Sequence, residues 1–316
     1  PEGTLAAIIR EIGAGLKKLD IAADQVQRVG LATPGPATRD GVILNSPNFN
    51  PKLWNNYAVR HALQERMQSD SPGVEVHYIG DGQSAAFGEY SIRTRWISWD
   101  QVSLGDAGKQ DLASLFMAIV GTGLGGGAVQ KGRPIRGGQG RAGHVGHIFL
   151  PAGAFRYEHD QQLRVGNALA TVESAVSLTA LTHQLEYRLS LKEWLDHPLN
   201  SAPGSTRDHA KQLRELAAGG DPLALQLFDD QARALGIGLL AANYLGDYDL
   251  IVIGGGVCDM TPEIRERYRT TAEQAYCELA LDGFRNLERI EFSICGDEAA
   301  VIGALAHAYS FTTMHQ

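Results

Sequence analysis

The feature that most constrains this chain is a glycine-rich turn that directly follows an apolar strand. Leu115–Val120 has strand character and runs into Gly121–Gly127, in which five of the seven residues are glycine. Without Cβ atoms, the backbone N–H groups of such a turn can approach an anion closely, as a phosphate site requires. A basic, glycine-rich loop follows and ends at His144 and His147, whose imidazoles can hydrogen-bond a hydroxylated substrate near neutral pH. The stretch therefore predicts a phosphate site next to polar donors.

A second buried strand also ends in glycines. Asp249–Ile253 is apolar after its first residues and breaks at Gly254, Gly255 and Gly256. Ligands of α/β proteins bind at the carboxyl ends of the strands, so both glycine turns are candidate ligand sites. One such turn is more simply a tight bend, but two in the same half of the chain favour a nucleotide. Neither precedes the Gly-Lys-Ser/Thr of a P-loop, and neither is a GxGxxG turn before a helix, which weighs against a dinucleotide.

The pattern along the whole chain predicts an α/β fold with two lobes, because 316 residues exceed the size at which single cores stop growing. We predict that residues 1–112 form a smaller N-terminal α/β lobe, completed by the final helix at 298–316, and that residues 113–297 form a larger α/β lobe. Strands and helices are predicted as follows: strands at 28–33, 74–79, 115–120, 249–253 and 290–294, and helices at 4–16, 84–90, 170–191, 222–245, 261–281 and 298–309.

Composition excludes several classes of protein. The net charge is −8, with acidic and basic residues interspersed, which argues against a nucleic-acid-binding surface and gives no support to a membrane partner. The three cysteines show no CxxC spacing, so we expect neither a disulfide framework nor a cysteine zinc site. The first residues lack the layout of a signal peptide, and no run approaches the length of a membrane span. We therefore expect a cytoplasmic protein.

Three further residues and the two histidines are candidates for chemistry, each with a simpler structural alternative; for the histidines it is a helix-face pair or chance. Asp81 ends an apolar strand, where a carboxylate can act as general base toward an alcohol, but it can equally cap the helix that follows. His144 and His147 lie three residues apart, and no third metal ligand at fitting spacing is evident. Glu173 begins an amphipathic helix, where an acid is favourable without any function. Asn48 belongs to a polar turn that can be simply a loop.

Taken together and in order, these pieces resemble the ROK family of sugar kinases and sugar-responsive repressors, within the actin-like ATPase superfamily. The resemblance covers nearly the whole chain. It rests on these segments: VGLATPGPATRDGVILNSPNF, similar to the Pro-Gly turn and the "NPN" sugar loop; GDGQSAAFGEY, similar to "NDANAAALGE"; GTGLGGGAVQKGRPIRGGQGRAGHVGH, similar to the phosphate turn and the AGExGH signature; IVIGGGV, similar to the adenosine-side turn; and GDEAAVIGALAHAY, similar to the closing helix.

The resemblance implies a two-lobed, ribonuclease H-like fold with the active site in the inter-lobe cleft, and ATP-dependent phosphorylation of a hexose. Asp81 would be the general base that takes the proton from a sugar hydroxyl, usually the 6-OH, and glucose is the default substrate. ATP phosphates would be held by Gly121, Thr122 and Gly123, with Mg²⁺ bridging them, and Gly254–Gly256 would pack near the adenosine. The residues that would hydrogen-bond the sugar are Asn48, His144, His147 and Glu173. Homodimers are usual for such folds.

Four departures from the family pattern qualify this expectation. The family's DxGGT phosphate loop precedes the first helix, and the printed chain starts within that helix; either a longer chain carries the loop, or the protein is not an ordinary kinase. The zinc motif CxCGxxGCxE is replaced by RVGNALATVESAVS, which keeps Glu173 but has no cysteine, so we predict no structural zinc. His144 replaces the first acid of AGExGH, which indicates a changed sugar preference. Gly80 replaces the Asn before the catalytic Asp.

Two alternatives to a kinase remain open at this point. A non-catalytic, sugar-responsive regulator of the same family would explain the altered sugar signature, although an intact Asp81 argues against it. Such repressors carry a helix-turn-helix, which the printed chain does not show, and its charge does not suggest DNA binding. A two-lobed sugar-binding protein without a nucleotide leaves Gly121–Gly127 unexplained.

Overall fold

Strand and helix alternate along the chain, as the sequence predicts. The computed structural model describes residues 1–45, 49–102, 108–285 and 289–313. The strands are β1 (Arg28–Thr33), β2 (Val42–Ile43), β3 (Tyr57–Ala58), β4 (Glu75–Gly80), β5 (Ser114–Val120), β6 (Leu124–Gln130), β7 (Arg133–Pro134), β8 (Ile251–Gly255) and β9 (Ile290–Phe292). The helices are α1 (Glu2–Lys18), α2 (Pro51–Trp54), α3 (Val59–Met67), α4 (Asp81–Arg93), α5 (Val172–Ala175), α6 (Leu178–Ser190), α7 (Thr206–Ala218), α8 (Pro222–Gly246), α9 (Pro262–Leu279) and α10 (Ala299–Thr313).

The chain divides into two compact units. The first unit comprises residues 1–112, 127–143 and 297–316, and the second comprises residues 113–126 and 144–296. No helix in the described part of the chain is long and apolar enough to cross a membrane.

The first unit is built on two parallel strands with helices packed against them. β1 pairs with β4 from Arg28↔Glu75 to Thr33↔Gly80. α10 lies directly on β1, because a Cβ atom added at Gly30 would be only 2.0 Å from the carbonyl oxygen of Ala304. α10 also packs backbone to backbone on α4, where a Cβ at Gly303 would lie 1.7 Å from the carbonyl oxygen of Ser84. Glycine is required at these positions, since any side chain would separate the elements.

The second unit is built on three parallel strands that place two turns side by side. β8 pairs with β5 and with β9, and the last pair of the β5–β8 ladder joins Val120 to Gly255. The strand order of the five-stranded sheet that contains them is β7-β6-β5-β8-β9. Six of the seven β5 residues are buried, as expected for a central parallel strand covered on both faces. The carboxyl ends of β5 and β8 therefore lie next to each other.

The observed helices differ from the predicted ones in several places, and α2 and α3 were not predicted. The predicted helix at 170–191 is divided into α5 and α6, because Ser177 leaves the helical conformation and its side chain accepts from the Ala180 N–H. The predicted end of the long helix at Gly246 was wrong by one residue, since Asp247 takes the left-handed conformation (φ 47°) that ends α8. Sequence analysis missed α7, which begins at a capping box between Ser205 and Asp208.

Candidate active site

Asp81 is held at the first position of α4, directly after β4. Gly80 precedes the helix in an extended conformation, so Gly80 and not Asp81 occupies the cap position. The Asp81 Oδ1 atom accepts a hydrogen bond of 2.7 Å from the Gly82 N–H, one of the amides that the helix itself leaves without a partner. The side chain is exposed. The positive end of α4 favours the charged carboxylate, so the position suits both helix stabilisation and a role as base.

Gln83 attaches the basic, glycine-rich loop to the helix that begins with Asp81. Its buried side chain donates from Nε2 to the carbonyl oxygens of Gly140 (3.1 Å) and Ala142 (2.9 Å). Gly140 adopts a φ of 86°, which lets the loop turn against the backbone of Arg39. The loop is thus fixed relative to α4 within the first unit.

In the second unit, the glycine turn after β5 is fixed by the start of α6. The Leu178 N–H donates to the Gly121 carbonyl oxygen over 2.9 Å, and the Thr179 Oγ1 donates to that of Thr122 over 3.0 Å. Within the turn, the Gly121 N–H donates to the Gly123 carbonyl oxygen over 2.9 Å. These bonds hold the backbone of the turn in place before any ligand arrives, which is what a preorganised anion site requires.

Glu173 lies against this turn and against the histidine segment. Its Oε2 atom accepts a hydrogen bond of 2.7 Å from the Leu124 N–H. A Cβ atom at Gly123 would lie 2.9 Å from the same oxygen, and one at Gly146 would lie 3.2 Å from it. A side chain at either position would push the carboxylate from its place, and one at Gly146 would also meet the Leu124 carbonyl oxygen at 2.4 Å. The structure thus brings Glu173 together with the glycine turn after β5 and with the segment that carries the histidines.

The two histidines flank Gly146 at a single-turn 3₁₀ helix (Val145–His147). Their ring centroids are 6.0 Å apart, and both side chains are exposed. Among the described residues, no group of three or more His, Cys, Asp or Glu side chains has the arrangement of a metal site. The roles of His144 and His147 as sugar ligands stay predictions. The role of Asn48 stays a prediction, because this residue lies outside the described part of the chain.

The two glycine turns share a cavity of about 200 Å³ in the second unit. Gly255 adopts a φ of 83°, and a Cβ atom there would lie 2.3 Å from the Val120 carbonyl oxygen, so the second turn packs closely on the first strand. Gly121, Thr122 and Gly256 line the cavity. Its apolar walls are formed by Leu178, Leu181, Phe228, Val257 and Met260.

Three polar residues of this cavity were missed by sequence analysis. Gln231 is 1% exposed, accepts from the Tyr268 hydroxyl at Oε1, and within the described residues has no hydrogen-bond partner for Nε2. Arg214 donates to the Gly256 carbonyl oxygen over 2.8 Å and thereby supports the second turn. Lys211 also lines the cavity, with its side chain largely exposed. Arg214 and Lys211 both lie on α7. Two sequence features indicate this helix: the Ser205–Asp208 capping box, and after it the apolar spacing of Ala210, Leu213 and Ala217.

A buried ion pair stabilises the second unit just before RVGNALATVESAVS, the stretch that replaces the family's zinc motif. The Arg188 guanidinium is fully buried and donates to both oxygens of Asp160, over 2.9 and 2.7 Å. It also lies over the Tyr157 ring, 4.1 Å from the centroid. A bidentate pair with an aromatic cover fixes this region through directional bonds. The absence of a structural zinc stays a prediction.

The chain combines parallel strands that end in glycine turns with a carboxylate at the start of α4. Similar solved structures identify the class of protein as one with the actin-like ATPase fold. A ROK hexokinase from Thermus thermophilus superposes with a TM-score of 0.73 at 27% identity, covering 99% of this chain and 88% of its own. A ROK family glucokinase from Streptomyces griseus, in complex with glucose and AMPPNP, gives 0.72 at 23% identity, covering 98% and 88%. The predicted fold class is confirmed.

The family follows from the sequence comparison. The profile of the ROK family matches residues 1–310, and the chain belongs to this family. A glucokinase from Aeropyrum pernix is 29% identical in an alignment that covers 97% of this chain and 87% of that protein. The resemblance deduced from the ordered motifs is confirmed.

Proposed function

We propose that this protein transfers the γ-phosphoryl group of ATP to a hydroxyl group of a hexose. The observation that carries the proposal is the double use of one turn. Gly121 and Thr122 line the apolar cavity, and the next residue, Gly123, packs against the Glu173 carboxylate. A nucleotide in the cavity and a sugar at Glu173 would therefore adjoin the same three residues. Phosphoryl transfer depends mainly on such positioning and on charge stabilisation by backbone donors.

The nucleotide half of the proposal rests on the cavity and its two turns. The adenine ring would lie among Leu181, Phe228 and Met260, with the buried Nε2 of Gln231 as a hydrogen-bond donor. The phosphates would lie on the backbone of Gly121–Gly123, which α6 already holds in place. Mg²⁺, when bound to the phosphates, supplies the positive charge that neutralises them in the transition state. The nucleotide complex of the Streptomyces griseus protein supports ATP as the donor.

The sugar half of the proposal rests on Glu173 and the two histidines. Glu173, His147 and His144 would hydrogen-bond the sugar hydroxyls, together with Asn48. Glucose is the first candidate, because the Aeropyrum pernix relative is a glucokinase. An imidazole at position 144 in place of the family's acid alters the donor and acceptor pattern offered to one hydroxyl, so we expect the preference among hexoses to differ from that of relatives with the acid.

The chemical step would use Asp81. Its carboxylate would accept the proton of the attacking hydroxyl, usually the 6-OH, as the bond to the γ-phosphorus forms. The hydrogen bond from the Gly82 N–H orients the carboxylate at the start of α4, so that it would act from a fixed position. Asp81 would act as proton acceptor without itself binding a metal ion.

A coupled ADP-release assay of the full natural chain with ATP, Mg²⁺ and a panel of glucose, fructose, N-acetylmannosamine and allose tests the proposal. We expect turnover with at least one hexose and none without sugar. Sugar binding without turnover, in protein that binds ATP, would contradict the proposal and favour a sugar-responsive regulator. We further propose that the protein is a cytoplasmic homodimer. Light scattering, measured as the protein elutes from a size-exclusion column, gives the mass of the assembly directly.

A further inference from the structure

The first unit contains a second, strongly basic cavity that the proposed kinase reaction does not use. It has a volume of about 450 Å³ and runs beside β4, from Glu75 to Tyr78. We call it the arginine pocket, because its walls include the guanidinium groups of Arg28, Arg39, Arg60 and Arg136. It extends toward the amino end of β4, whereas Asp81 follows the carboxyl end, about 20 Å along the strand from Glu75.

The positive charge of the arginine pocket is held in place mainly by neutral groups. Arg60 donates from Nε to the Asp40 carbonyl oxygen over 3.0 Å, and Arg136 donates from Nη2 to the Arg39 carbonyl oxygen over 2.6 Å. Among the described residues, two carboxylates line the cavity, those of Asp40 and Glu75, against four guanidinium groups. The walls therefore keep about two positive charges in excess, which an anion would neutralise.

Glu75 is already engaged by two cationic or titratable neighbours. Its Oε2 atom lies 3.5 Å from the Arg28 Nε atom and 3.4 Å from the His77 Nε2 atom. The same carboxylate is largely exposed, so solvent screens its negative charge. It does not offset the charges of Arg60 and Arg136 on the other walls.

Two buried nitrogen atoms of the pocket lack partners within the described residues. His307 is 5% exposed and lines the cavity, and its Nδ1 atom makes no hydrogen bond there. The Nε atom of Arg136 is in the same situation. Buried polar atoms of native proteins almost always have a partner, and the Nε–H group of Arg136 can only donate, so this nitrogen indicates a ligand with an acceptor atom. The His307 ring also hydrogen-bonds the backbone of Tyr78. Burial, Arg136 and His77 together lower the pKa of His307 to about 4, which reflects the positive potential of the pocket.

We propose that the arginine pocket binds the phosphoryl group of a small molecule. A phosphomonoester carries up to two negative charges and three acceptor oxygens, which match the excess charge and the several guanidinium groups. A single carboxylate would leave most of these donors without a partner. The cavity also has room for more than a phosphate ion beside Tyr78 and Phe311. The proposal does not depend on the kinase reaction, since the pocket shares no residue with the candidate active site.

The pocket is connected to the catalytic candidate by covalent and hydrogen-bonded steps within the first unit. Arg136 begins the loop that Gln83 holds through Gly140 and Ala142, and Gln83 is two residues from Asp81. Tyr78 also lines the pocket. Burial raises the pKa of its hydroxyl group, and the negative charge of Asp81 adds a smaller increase. A phosphoryl group bound to Arg136 therefore contacts the first residue of the loop that Gln83 attaches to α4.

Nuclear magnetic resonance of the full chain with ¹³C-labelled histidine tests the proposal. The His307 signal is assigned from its loss in His307→Gln, and saturating AMPPNP occupies the proposed nucleotide turn throughout. We expect inorganic phosphate and glucose 6-phosphate to shift the His307 signal saturably, and glucose not to shift it. Tighter binding of glucose 6-phosphate identifies a phosphate ester as the ligand, and equal binding identifies free phosphate. No saturable shift with either, or citrate binding as tightly as both, would overturn the proposal.

Substitution of the arginines supplies the matched controls. Arg60→Gln removes one guanidinium from the wall, and we expect the affinity for phosphate to fall about tenfold, as for a lost charge-assisted hydrogen bond. Arg39→Gln gives a second, independent variant should Arg60→Gln fail to fold. Arg10→Gln removes the same charge from an exposed site on α1 and should leave the affinity unchanged. Unchanged affinity in both pocket variants would show that phosphate binds elsewhere.

Discussion

The backbone N–H of Leu124 donates a 2.7 Å hydrogen bond to the carboxylate of Glu173, and this bond joins the glycine turn after β5 to the first turn of α5. One oxygen of Glu173 is thereby fixed at the edge of the proposed phosphate site. A sugar that uses Glu173 would be positioned relative to the phosphates by the same bond.

Replacing Asp81 by Asn should lower the turnover number for hexose phosphorylation by roughly 10²-fold or more, because the proton acceptor is lost. Asn retains an oxygen that can accept from the Gly82 N–H, so we expect the thermal midpoint to change little. Steady-state kinetics and circular dichroism measure the two quantities. Asp70→Asn, at an exposed position after α3, is the matched control. Full activity in Asp81→Asn would exclude Asp81 as the base.

Gly123→Ala should raise the KM for the sugar and destabilise the fold by about 1 kcal/mol, since the new methyl group would displace the Glu173 carboxylate from its 2.9 Å contact distance and weaken its hydrogen bond to Leu124. Gly125→Ala, two residues along, has open space around the added atom and should leave both quantities unchanged. Kinetics and denaturant unfolding of the pair measure the difference. Equal behaviour of the two variants would contradict the packing of Glu173 on this turn.

Gly255→Ala should reduce the free energy of unfolding by about 2–4 kcal/mol, the sum of overpacking and of an unfavourable backbone conformation. Its φ is 83°, and the added Cβ would lie 2.3 Å from the Val120 carbonyl oxygen. Gly256→Ala is the neighbouring control, because the nearest atom to the added Cβ, in the Arg214 side chain, would be 3.7 Å away. Urea unfolding should separate the two variants clearly, and a stable Gly255→Ala protein would mean that β5 and β8 are not so closely packed.

Asp160→Asn should destabilise the fold by about 3–5 kcal/mol, because it leaves the Arg188 charge buried with less compensation. The comparison is Asp229→Asn, which removes a carboxylate from the exposed pair with Arg267 and should cost about 0–1 kcal/mol. Chemical denaturation of both variants gives the two free energies. A small effect at Asp160 would indicate that Asp230, which lies 3.4 Å from Arg188, is sufficient by itself.

Stability should fall with decreasing pH between about 6.5 and 4, in part through His307. The folded protein lowers the pKa of His307 from 6.5 to about 4, so between these values the unfolded chain binds the extra proton. The free energy of unfolding then falls by at most about 1.4 kcal/mol per pH unit from this group. His307→Gln should remove this part of the slope, and His61→Gln, at an exposed site, should retain it. Urea unfolding at several pH values measures both slopes.

The glycine turns show what a sequence can predict about such a protein. Gly121–Gly123 and Gly254–Gly256 follow apolar strands, and both observations depend only on neighbouring residues, so the strands and turns were predictable. The hydrogen bond between Leu124 and Glu173 was not, because it joins residues far apart in the chain. The resemblance supplied Glu173 as a candidate, but the structure supplied its partner.

The cavity residues illustrate the other limit of sequence analysis. Gln231 lies in an apolar stretch of α8, where a polar side chain has no local signature of a ligand site, and its role is visible only from the wall that it shares with Phe228. Arg214 could have been found through the capping box that starts α7. The arginine pocket draws on β1, α3, β4 and α10, so only the folded first unit reveals it.

The contact between Gly303 and Ser84 bears on the order in which the protein is made and folded. The Ser84 hydroxyl also donates to the Ala300 carbonyl oxygen, 216 residues away along the chain. During synthesis, β1, β4 and α4 leave the ribosome long before α10, whereas every residue of the second unit precedes α10. The second unit can therefore fold first, and one face of the helix that carries Asp81 stays uncovered until α10 is translated.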